Sequence, residues 1–274
     1  FFNEYIFYKS KEENSQVKKL ESKILKNKKI NELEIAILGC YMPLYNSKNI
    51  IKKLSNYKSN NFLFNDLIKV QIKEPLNEIK LAKSINSFDK IVDNVSKKVR
   101  EQYEENPYPR WRYTYKNLSS NFLNHLNTEI KPNKLEFNNE FNNPNILVAG
   151  CGTGQHIAIV ADKYLNSQIL GIDLSLASLA YAKRKVKELN LKNVEFLQAD
   201  ILQLNNLKKK FNVIECVGTL HHMKDPVAGL KILLNLLEPN GFLKLGLYSE
   251  LARQNIVKAR NFIKRRNIKS TVDE

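Results

Sequence analysis

A glycine-rich turn and an aspartate have the spacing of a site for a nucleotide-like cofactor. Gly150, Gly152 and Gly154 form a G-x-G-x-G pattern directly after the apolar run 146–149. Glycines in such a turn let the backbone approach a ligand closely, and the free N–H groups at the start of the next helix favour a carboxylate or a phosphate. Asp173 ends a second apolar run about 20 residues later, where a carboxylate accepts hydrogen bonds from ribose hydroxyls.

A second aspartate, Asp200, ends a third apolar run and is suited to accept a hydrogen bond from an exocyclic amine. Each aspartate taken alone could simply cap the helix that follows it. Three such motifs at successive strand ends favour a ligand site over capping. The site differs from a dinucleotide fingerprint, which requires glycine where this chain has Gln155, and no Lys-Ser or Lys-Thr pair follows to make a P-loop.

The elements that must hold these residues alternate between short apolar runs and amphipathic stretches. This pattern predicts an α/β fold with a doubly wound, Rossmann-like parallel sheet flanked by helices. The predicted strands are 146–149, 168–172, 194–198, 211–217 and 241–248, and the predicted helices are 155–164, 176–189, 201–208, 226–237 and 251–266. Ligands of such sheets bind beyond the carboxyl ends of the strands.

The chain before this sheet divides into two predicted parts. Residues 1–88 read as a mainly helical N-terminal region, and residues 89–145 as a helix over 89–105, a Pro-Tyr-Pro turn and an Asn-rich linker. The sheet domain then occupies 146–274.

Together the motifs resemble the class I S-adenosylmethionine-dependent methyltransferases. The matching stretches, in the family's order, are ILVAGCGTGQ (146–155), GIDLS (171–175), QADI (198–201), FNVIECVGTLHHM (211–223) and PNGFLKLGL (239–247). The segment VREQYEENPYPRW (99–111) is similar to a stretch before the glycine loop in a bacterial subgroup, some of whose members carry tetratricopeptide repeats upstream. No such repeat is found over residues 1–90.

This resemblance implies S-adenosyl-L-methionine as the cofactor and in-line methyl transfer as the reaction. It implies contacts of the methionine part with Gly150, Cys151, Gly152, Thr153, Gly154 and Gln155, of ribose with Asp173, of adenine with Leu174, Asp200 and Ile201, and of the sulfonium with the backbone of Glu215, Cys216 and Val217. The family's sheet ends in an antiparallel hairpin that has no counterpart after the last predicted helix. The fold is therefore expected to be truncated at its C-terminal end.

A proton acceptor is needed only where the methyl acceptor must lose a proton. His221 and His222 follow the fourth predicted strand of this domain, and His221 is the candidate base. The alternative is that both histidines orient the loop or pack. Adjacent histidines diverge and no third ligand has suitable spacing, so no metal site is predicted. Cys216 lies within an apolar strand and reads as core rather than as a nucleophile.

The 89–105 helix and the turn after it are expected to form a lid over the cofactor site and part of the acceptor pocket. Tyr103, Tyr108, Arg110 and Trp111 cluster there, and aromatic walls exclude water and tolerate the sulfonium cation. The alternative is that the aromatic residues only attach the N-terminal helices to the sheet.

Composition limits the class of protein. Hydrophobic residues make up 43% and charged residues 26% of the chain, which excludes disorder of the whole chain and a fibrous protein. The apolar runs are far shorter than the ~20 residues that span a bilayer, so no membrane span is expected. Three scattered cysteines predict no disulfide framework and favour a reducing, cytoplasmic location.

The net charge of +16 raises the question of a nucleic-acid partner. Lysines far outnumber arginines, and the charge is spread evenly along the chain, which favours a generally basic surface. Three hypotheses stay open: a methyltransferase acting on a small molecule or protein, which the sequence favours; a tRNA or rRNA methyltransferase; and a non-catalytic regulatory or scaffold protein that binds S-adenosylmethionine. The methyl acceptor and the oligomeric state are unknown at this stage.

Overall fold

A computed structural model of the 274-residue chain describes residues 9–115, 119–136 and 141–268. The chain divides into two compact units, of which the second runs Leu81–Arg266 and the first comprises the rest. The domain boundaries predicted at 88/89 and 145/146 stay a prediction. No helix among the described residues combines the length and the apolar character that crossing a membrane requires.

The first unit is helical, as the sequence predicts. Its helices are α1 (Lys11–Lys26), α2 (Glu32–Tyr41), α3 (Lys48–Leu54) and α4 (Phe62–Ile68), and a π-helical turn, Lys69–Lys73, leads into α5 (Glu74–Ala82) at the unit boundary. The apolar stretch that begins at residue 33 forms α2 and places Ile35 and Leu38 in the core, both fully buried. Ser10 and Glu13 form a capping box that fixes the start of α1.

The second unit contains a six-stranded, wholly parallel sheet. Its strands are β1 (Asn86–Ser87), β2 (Asn145–Ala149), β3 (Gln168–Asp173), β4 (Val194–Gln198), β5 (Phe211–Val217) and β6 (Leu237–Gly246), in the order β1-β4-β3-β2-β5-β6. This order confirms the doubly wound, Rossmann-like prediction. Each of the five predicted strands is present, and β4 and β5 have the predicted bounds.

Two features of the sheet differ from the prediction. The edge strand β1 was not predicted, because it is only two residues long and exposed. Its backbone pairs with β4 at Leu197 and Gln198, and the Ser87 hydroxyl lies 2.6 Å from Gln198 Oε1. Strand β6 begins at Leu237 rather than at 241. The predicted Pro-Asn-Gly turn persists as an irregularity inside the strand, because Leu237 pairs with Phe211 and Phe242 pairs with Val213.

Helices cover both faces of the sheet. They are α6 (Asn94–Glu105), α7 (Phe122–Glu129), α8 (Gln155–Lys163), α9 (Leu176–Glu188), α10 (Pro226–Asn235) and α11 (Gln254–Arg266), with short 3₁₀ turns at Ile201–Asn206, Leu220–His222 and Leu251–Arg253. The helix predicted over 89–105 was too long, because Asp93 caps the backbone N–H groups of Val95 and Ser96 and starts α6 at Asn94. The predicted 201–208 helix is a 3₁₀ turn, and α7 was not predicted.

Strand β2 lies between two apolar cores. Ile146 and Val148 pack in the core that includes Ile157 of α8, while Leu147 and Ala149 pack in the core that includes Leu233 of α10. Successive strand residues point to opposite faces, so a strand buried on both faces reads as one continuous apolar run. This burial fixes β2 in the sheet and so positions the turn at its carboxyl end.

Candidate functional site

The turn after β2 is shaped by glycines with a left-handed backbone. Gly150, Gly152 and Gly154 have φ values of 73°, 52° and 83°. A Cβ at Gly150 would lie 2.2 Å from the Thr219 Oγ1 atom, whereas a Cβ at Gly152 would meet nothing nearer than the Tyr108 carbonyl oxygen at 4.0 Å. Gly150 is therefore required for packing, and Gly152 leaves open space beside the loop.

Asp173, at the end of β3, is fixed by backbone donors. Its Oδ2 accepts from the Gly152 N–H at 2.8 Å and its Oδ1 from the Ser175 N–H at 3.0 Å. Burial raises the pKa of this carboxyl above its usual value, and the hydrogen bonds from Ser175 and Gly152 act against that rise. A carboxylate has about four lone-pair positions, so these backbone donors do not use all the acceptor capacity of Asp173.

Asp200, at the end of β4, has one oxygen that lacks a protein partner. Its Oδ1 accepts from the Leu202 N–H at 3.0 Å and caps the following 3₁₀ turn. Its Oδ2 is buried and has no hydrogen bond among the described residues, although the side chain is only 3% exposed. Buried polar atoms are almost always hydrogen-bonded, so this oxygen marks the place for a donor on a ligand.

These strand ends surround one cavity of about 400 Å³. Of the residues predicted for the site, the cavity is lined by Gly150, Cys151, Gly152, Thr153, Gln155, Asp173, Leu174, Asp200, Ile201, Val217, Tyr103 and Tyr108. Six predicted residues are absent from its lining: Gly154, Glu215, Cys216, Arg110, Trp111 and His221. Cys216 is fully buried in the sheet core.

Helix α6 lies over the cavity and is tied to α9. Tyr103, near the end of α6, lines the cavity together with Tyr108 of the following turn. The neighbouring Glu104 carboxylate accepts from the Ser175 hydroxyl at 2.8 Å and from the Ala177 N–H at 3.2 Å. A carboxylate at the N-terminus of α9 is favourable because it satisfies free backbone donors there. The predicted lid residues thus include two that face the cavity.

Trp111 does not line the cavity, unlike Tyr103 and Tyr108. It is 5% exposed, packs against Ala158 of α8 and Tyr181 of α9, and donates from Nε1 to the Thr153 carbonyl at 2.9 Å. The Thr153 hydroxyl in turn donates to the Pro109 carbonyl. Arg110 lies over the Tyr181 ring, 5.3 Å from its centroid. Trp111 therefore fastens the Pro-Tyr-Pro turn to the glycine loop from outside the cavity.

The two histidines after β5 are placed differently. The His221 ring stacks on Tyr248 with centroids 3.8 Å apart, and neither ring nitrogen has a hydrogen-bond partner in the described part of the chain. Burial, followed by the nearby charges of His222 and Arg253, lowers the pKa of His221. His222 is exposed and lines the cavity, and burial and Arg253 lower its pKa also.

Replacing His221 with Phe should make stability less sensitive to acid. The folded-state pKa of His221 lies below its unfolded value, so below about pH 6.5 the unfolded chain binds a proton that the folded chain does not. Stability from this group is present at higher pH and is lost as the pH falls. We expect the melting temperature of the wild type to drop more between about pH 7.5 and 5.5 than that of His221→Phe. Equal drops would contradict this placement.

The sequence analysis did not identify His156, which lines the cavity from the first turn of α8. Its Nε2 is 2.7 Å from the Oε2 atom of Glu215, a residue that is only 2% exposed. The Tyr164 hydroxyl donates to the other oxygen of Glu215 at 3.3 Å. The sequence feature that could have indicated His156 is its position directly after the glycine loop. Its partner lies 59 residues away in the sequence, and no spacing rule relates the two.

Residues 140–271 match a family model described as a methyltransferase domain. An uncharacterised protein from Synechococcus sp. is 29% identical over 182 residues, which cover 62% of this chain and 41% of that protein. The protein RP028 of Rickettsia prowazekii is 30% identical over 151 residues, covering 54% of this chain and 57% of that protein. Among solved structures, PKMT2 from Rickettsia typhi in complex with AdoHcy is 29% identical with a TM-score of 0.39, and the match covers 44% of this chain and 25% of that one.

The chain thus spans about half the length of these two curated relatives, 41% of one and 57% of the other. Residues 140–271, just under half of the chain, are therefore similar to a methyltransferase domain.

Proposed function

We propose that this protein is an S-adenosylmethionine-dependent methyltransferase that transfers the methyl group in line to a small molecule or a protein. One observation carries the proposal. The glycine loop, Asp173 and Asp200 line the same cavity at the carboxyl ends of the strands, and the buried Oδ2 of Asp200 has no hydrogen-bond partner among the described residues. A ligand that combines adenosine with a carboxylate needs three kinds of protein group. These are backbone N–H groups for the carboxylate, an acceptor for the ribose hydroxyls and an acceptor for the adenine amine.

In this proposal each part of the cofactor has its own protein partner. The methionine carboxylate lies at the glycine loop, and the ribose hydroxyls donate to Asp173. Adenine lies between Leu174 and Ile201, and its amine donates to the free oxygen of Asp200. The support is the open space beside Gly152, the remaining acceptor capacity of Asp173, and the buried oxygen of Asp200 that no described protein group satisfies.

When bound, S-adenosylmethionine supplies a methyl group on a positively charged sulfur, which is a very good leaving group. The protein therefore contributes mainly position and electrostatics. Tyr103, Tyr108 and Tyr248 line the cavity, where their rings exclude water and tolerate a cation. Glu104 and Trp111 hold two of these walls in place, one through α9 and the other through the glycine loop.

We propose a small molecule or a protein as the methyl acceptor. The alternatives are a tRNA or rRNA acceptor and a non-catalytic, cofactor-binding role. A reducing, cytoplasmic location is supported by the three cysteines, all of which are free thiols. Incubating the protein with methyl-labelled S-adenosylmethionine and a cell extract, then separating small molecules, protein and RNA, tests these candidates. Label found only in the RNA fraction would show that the acceptor is RNA rather than a small molecule or a protein. Binding of S-adenosylmethionine with no label in any fraction would support the non-catalytic role.

Replacing Asp173 with Ala should weaken S-adenosylmethionine binding roughly tenfold or more. The variant loses hydrogen bonds from the ribose to a charged acceptor, which contribute about 1.5–3 kcal/mol. Isothermal titration calorimetry with S-adenosylmethionine and S-adenosylhomocysteine measures the effect, and NAD should not bind. Asp89→Ala is a matched control, because Asp89 is exposed and lies outside the cavity. Unchanged affinity in Asp173→Ala would refute the ribose assignment.

A further inference from the structure

His156 lines the cavity and contacts the carboxylate of Glu215, a residue outside the cavity lining. The His156 side chain is 34% exposed, and the carboxylate of Glu215 that it contacts is 2% exposed. An ionised carboxylate is an acceptor only, so the short 2.7 Å contact assigns the proton of the neutral ring to Nε2. Nδ1 is then left as an acceptor on a ring that borders the cavity.

Glu215 is held rigidly enough to orient that ring. It lies on β5 opposite Val148 of the central strand β2, so its backbone sits in the middle of the sheet. Its second oxygen accepts from the Tyr164 hydroxyl. Burial and the Glu215 charge raise the pKa of Tyr164, which keeps this hydroxyl protonated as a donor. A buried carboxylate with two donors, one of them the imidazole, fixes both the tautomer and the orientation of the histidine.

We propose that His156 is the general base of this methyltransferase and that Glu215 is its positioning residue. The inference rests on the proposed function and deepens it, because a base is useful only for an acceptor that must lose a proton, such as a hydroxyl group or a neutral amine that becomes charged on methylation. A lone pair of the acceptor forms the new bond to the methyl carbon, and the carbon–sulfur pair stays on sulfur as S-adenosylhomocysteine leaves. The acceptor's proton goes to Nδ1 of His156, and Glu215 stabilises the resulting imidazolium.

The structure favours His156 over the two histidines after β5. His221 is absent from the cavity lining and stacks on Tyr248. His222 does line the cavity, but it is exposed, and none of its described contacts is with a carboxylate. His156 both borders the cavity and contacts a buried carboxylate, which are the two features that define a positioned base.

Other charged and titratable groups surround this pair. Those that line the same cavity are Asp173, Asp200, Cys151, Tyr103, Tyr108, Tyr248 and His222, and Tyr164 contacts Glu215 directly. Near Tyr164, Glu129 forms ion pairs with Lys163 at 2.5 Å and Lys244 at 3.2 Å. The pH–rate profiles of variant and wild type must therefore be compared as a difference, because several ionisable groups border the same cavity.

The test compares His156→Gln and Glu215→Gln with Glu129→Gln, an acid-to-amide change outside the cavity. The acceptor is supplied as the extract fraction that the wild type labels with methyl-labelled S-adenosylmethionine. His156→Gln should lower turnover about 100-fold or more and remove the acid limb of the pH–rate profile. Glu215→Gln should lower turnover at least about tenfold, as expected when the ring loses the partner that sets its tautomer. S-adenosylmethionine affinity should change less than about threefold in both, and Glu129→Gln should match the wild type.

Two results would overturn the inference while leaving the proposed function intact. One is wild-type turnover, or turnover lost only through weaker cofactor binding, in His156→Gln. The other is a ¹⁵N NMR spectrum of the complex with S-adenosylhomocysteine in which the signals assigned to His156 by their loss in His156→Gln show a proton on Nδ1 near neutral pH. If the wild type labels no fraction, the proposed function itself fails, and the inference fails with it. Because Glu215 is buried and its variant could unfold, His156→Gln is the deciding substitution.

Discussion

Replacing Trp111 with Ala is expected to lower the free energy of unfolding by about 3–5 kcal/mol. The substitution removes a buried ring that packs between Ala158 of α8 and Tyr181 of α9. It also leaves the Thr153 carbonyl without its donor in the glycine loop. Chemical denaturation followed by circular dichroism measures the change.

Two further variants separate packing from hydrogen bonding at this position. Trp111→Phe keeps a ring but removes the Nε1 donor, and should lose about 1–3 kcal/mol. Tyr113→Ala is the matched control, because Tyr113 is an aromatic residue of the same segment that is 81% exposed, and it should stay within about 0.5 kcal/mol of the wild type. A loss below about 1 kcal/mol in Trp111→Ala would show that the ring does not fasten the turn to the loop.

The second large effect is expected from Gly150→Ala, which should lose about 2–4 kcal/mol of stability. The backbone there has a φ of 73°, which strains any residue with a Cβ. The added Cβ would also lie 2.2 Å from Oγ1 and 2.8 Å from Cβ of Thr219, so the loop after β5 must shift. Because this loop borders the cavity, S-adenosylmethionine binding should weaken as well, and calorimetry on the folded variant measures it.

Gly218 offers a matched control for the backbone contribution. It has a φ of 77°, and a Cβ there would meet no atom within 4 Å. Gly218→Ala should therefore lose only about 1 kcal/mol, which is the cost of the left-handed backbone alone. Adding Thr219→Ala to Gly150→Ala should restore part of the lost stability, since it removes the two nearest atoms. Equal losses in Gly150→Ala and Gly218→Ala would show that contact with Thr219 is unimportant.

Local pattern was sufficient to locate the sheet and the cofactor end of the candidate site. Strand β2 is buried on both faces, so it reads as an uninterrupted apolar run whatever the rest of the chain does. Asp173 ends β3 and Asp200 follows β4 by two residues, and parallel strands bring their carboxyl ends to one edge. Once the strand positions were known, the convergence of these residues on one cavity followed from the fold class.

Some elements have little sequence pattern of their own and form because they pair with neighbouring strands. Strand β1 has two exposed residues and exists because its backbone pairs with β4 at Leu197 and Gln198. The Pro-Asn-Gly sequence predicts a turn before the strand, but pairing of Leu237 with Phe211 on β5 extends β6 back through these residues. Such pairings follow from hydrogen bonds between distant segments, which apolar periodicity does not report.

The sequence by itself determined the fold class, the glycine loop and the two strand-end acids, because each is encoded by residues adjacent in the chain. Tertiary structure alone decided which side chains face the cavity. His221 and His222 are neighbours on one 3₁₀ turn, and of the two only His222 lines the cavity. Trp111 and Thr153 lie 42 residues apart, and His156 and Glu215 lie 59 apart. These pairs form because packing closes long loops of chain, and side-chain direction after such closure is set by the surrounding contacts rather than by local sequence.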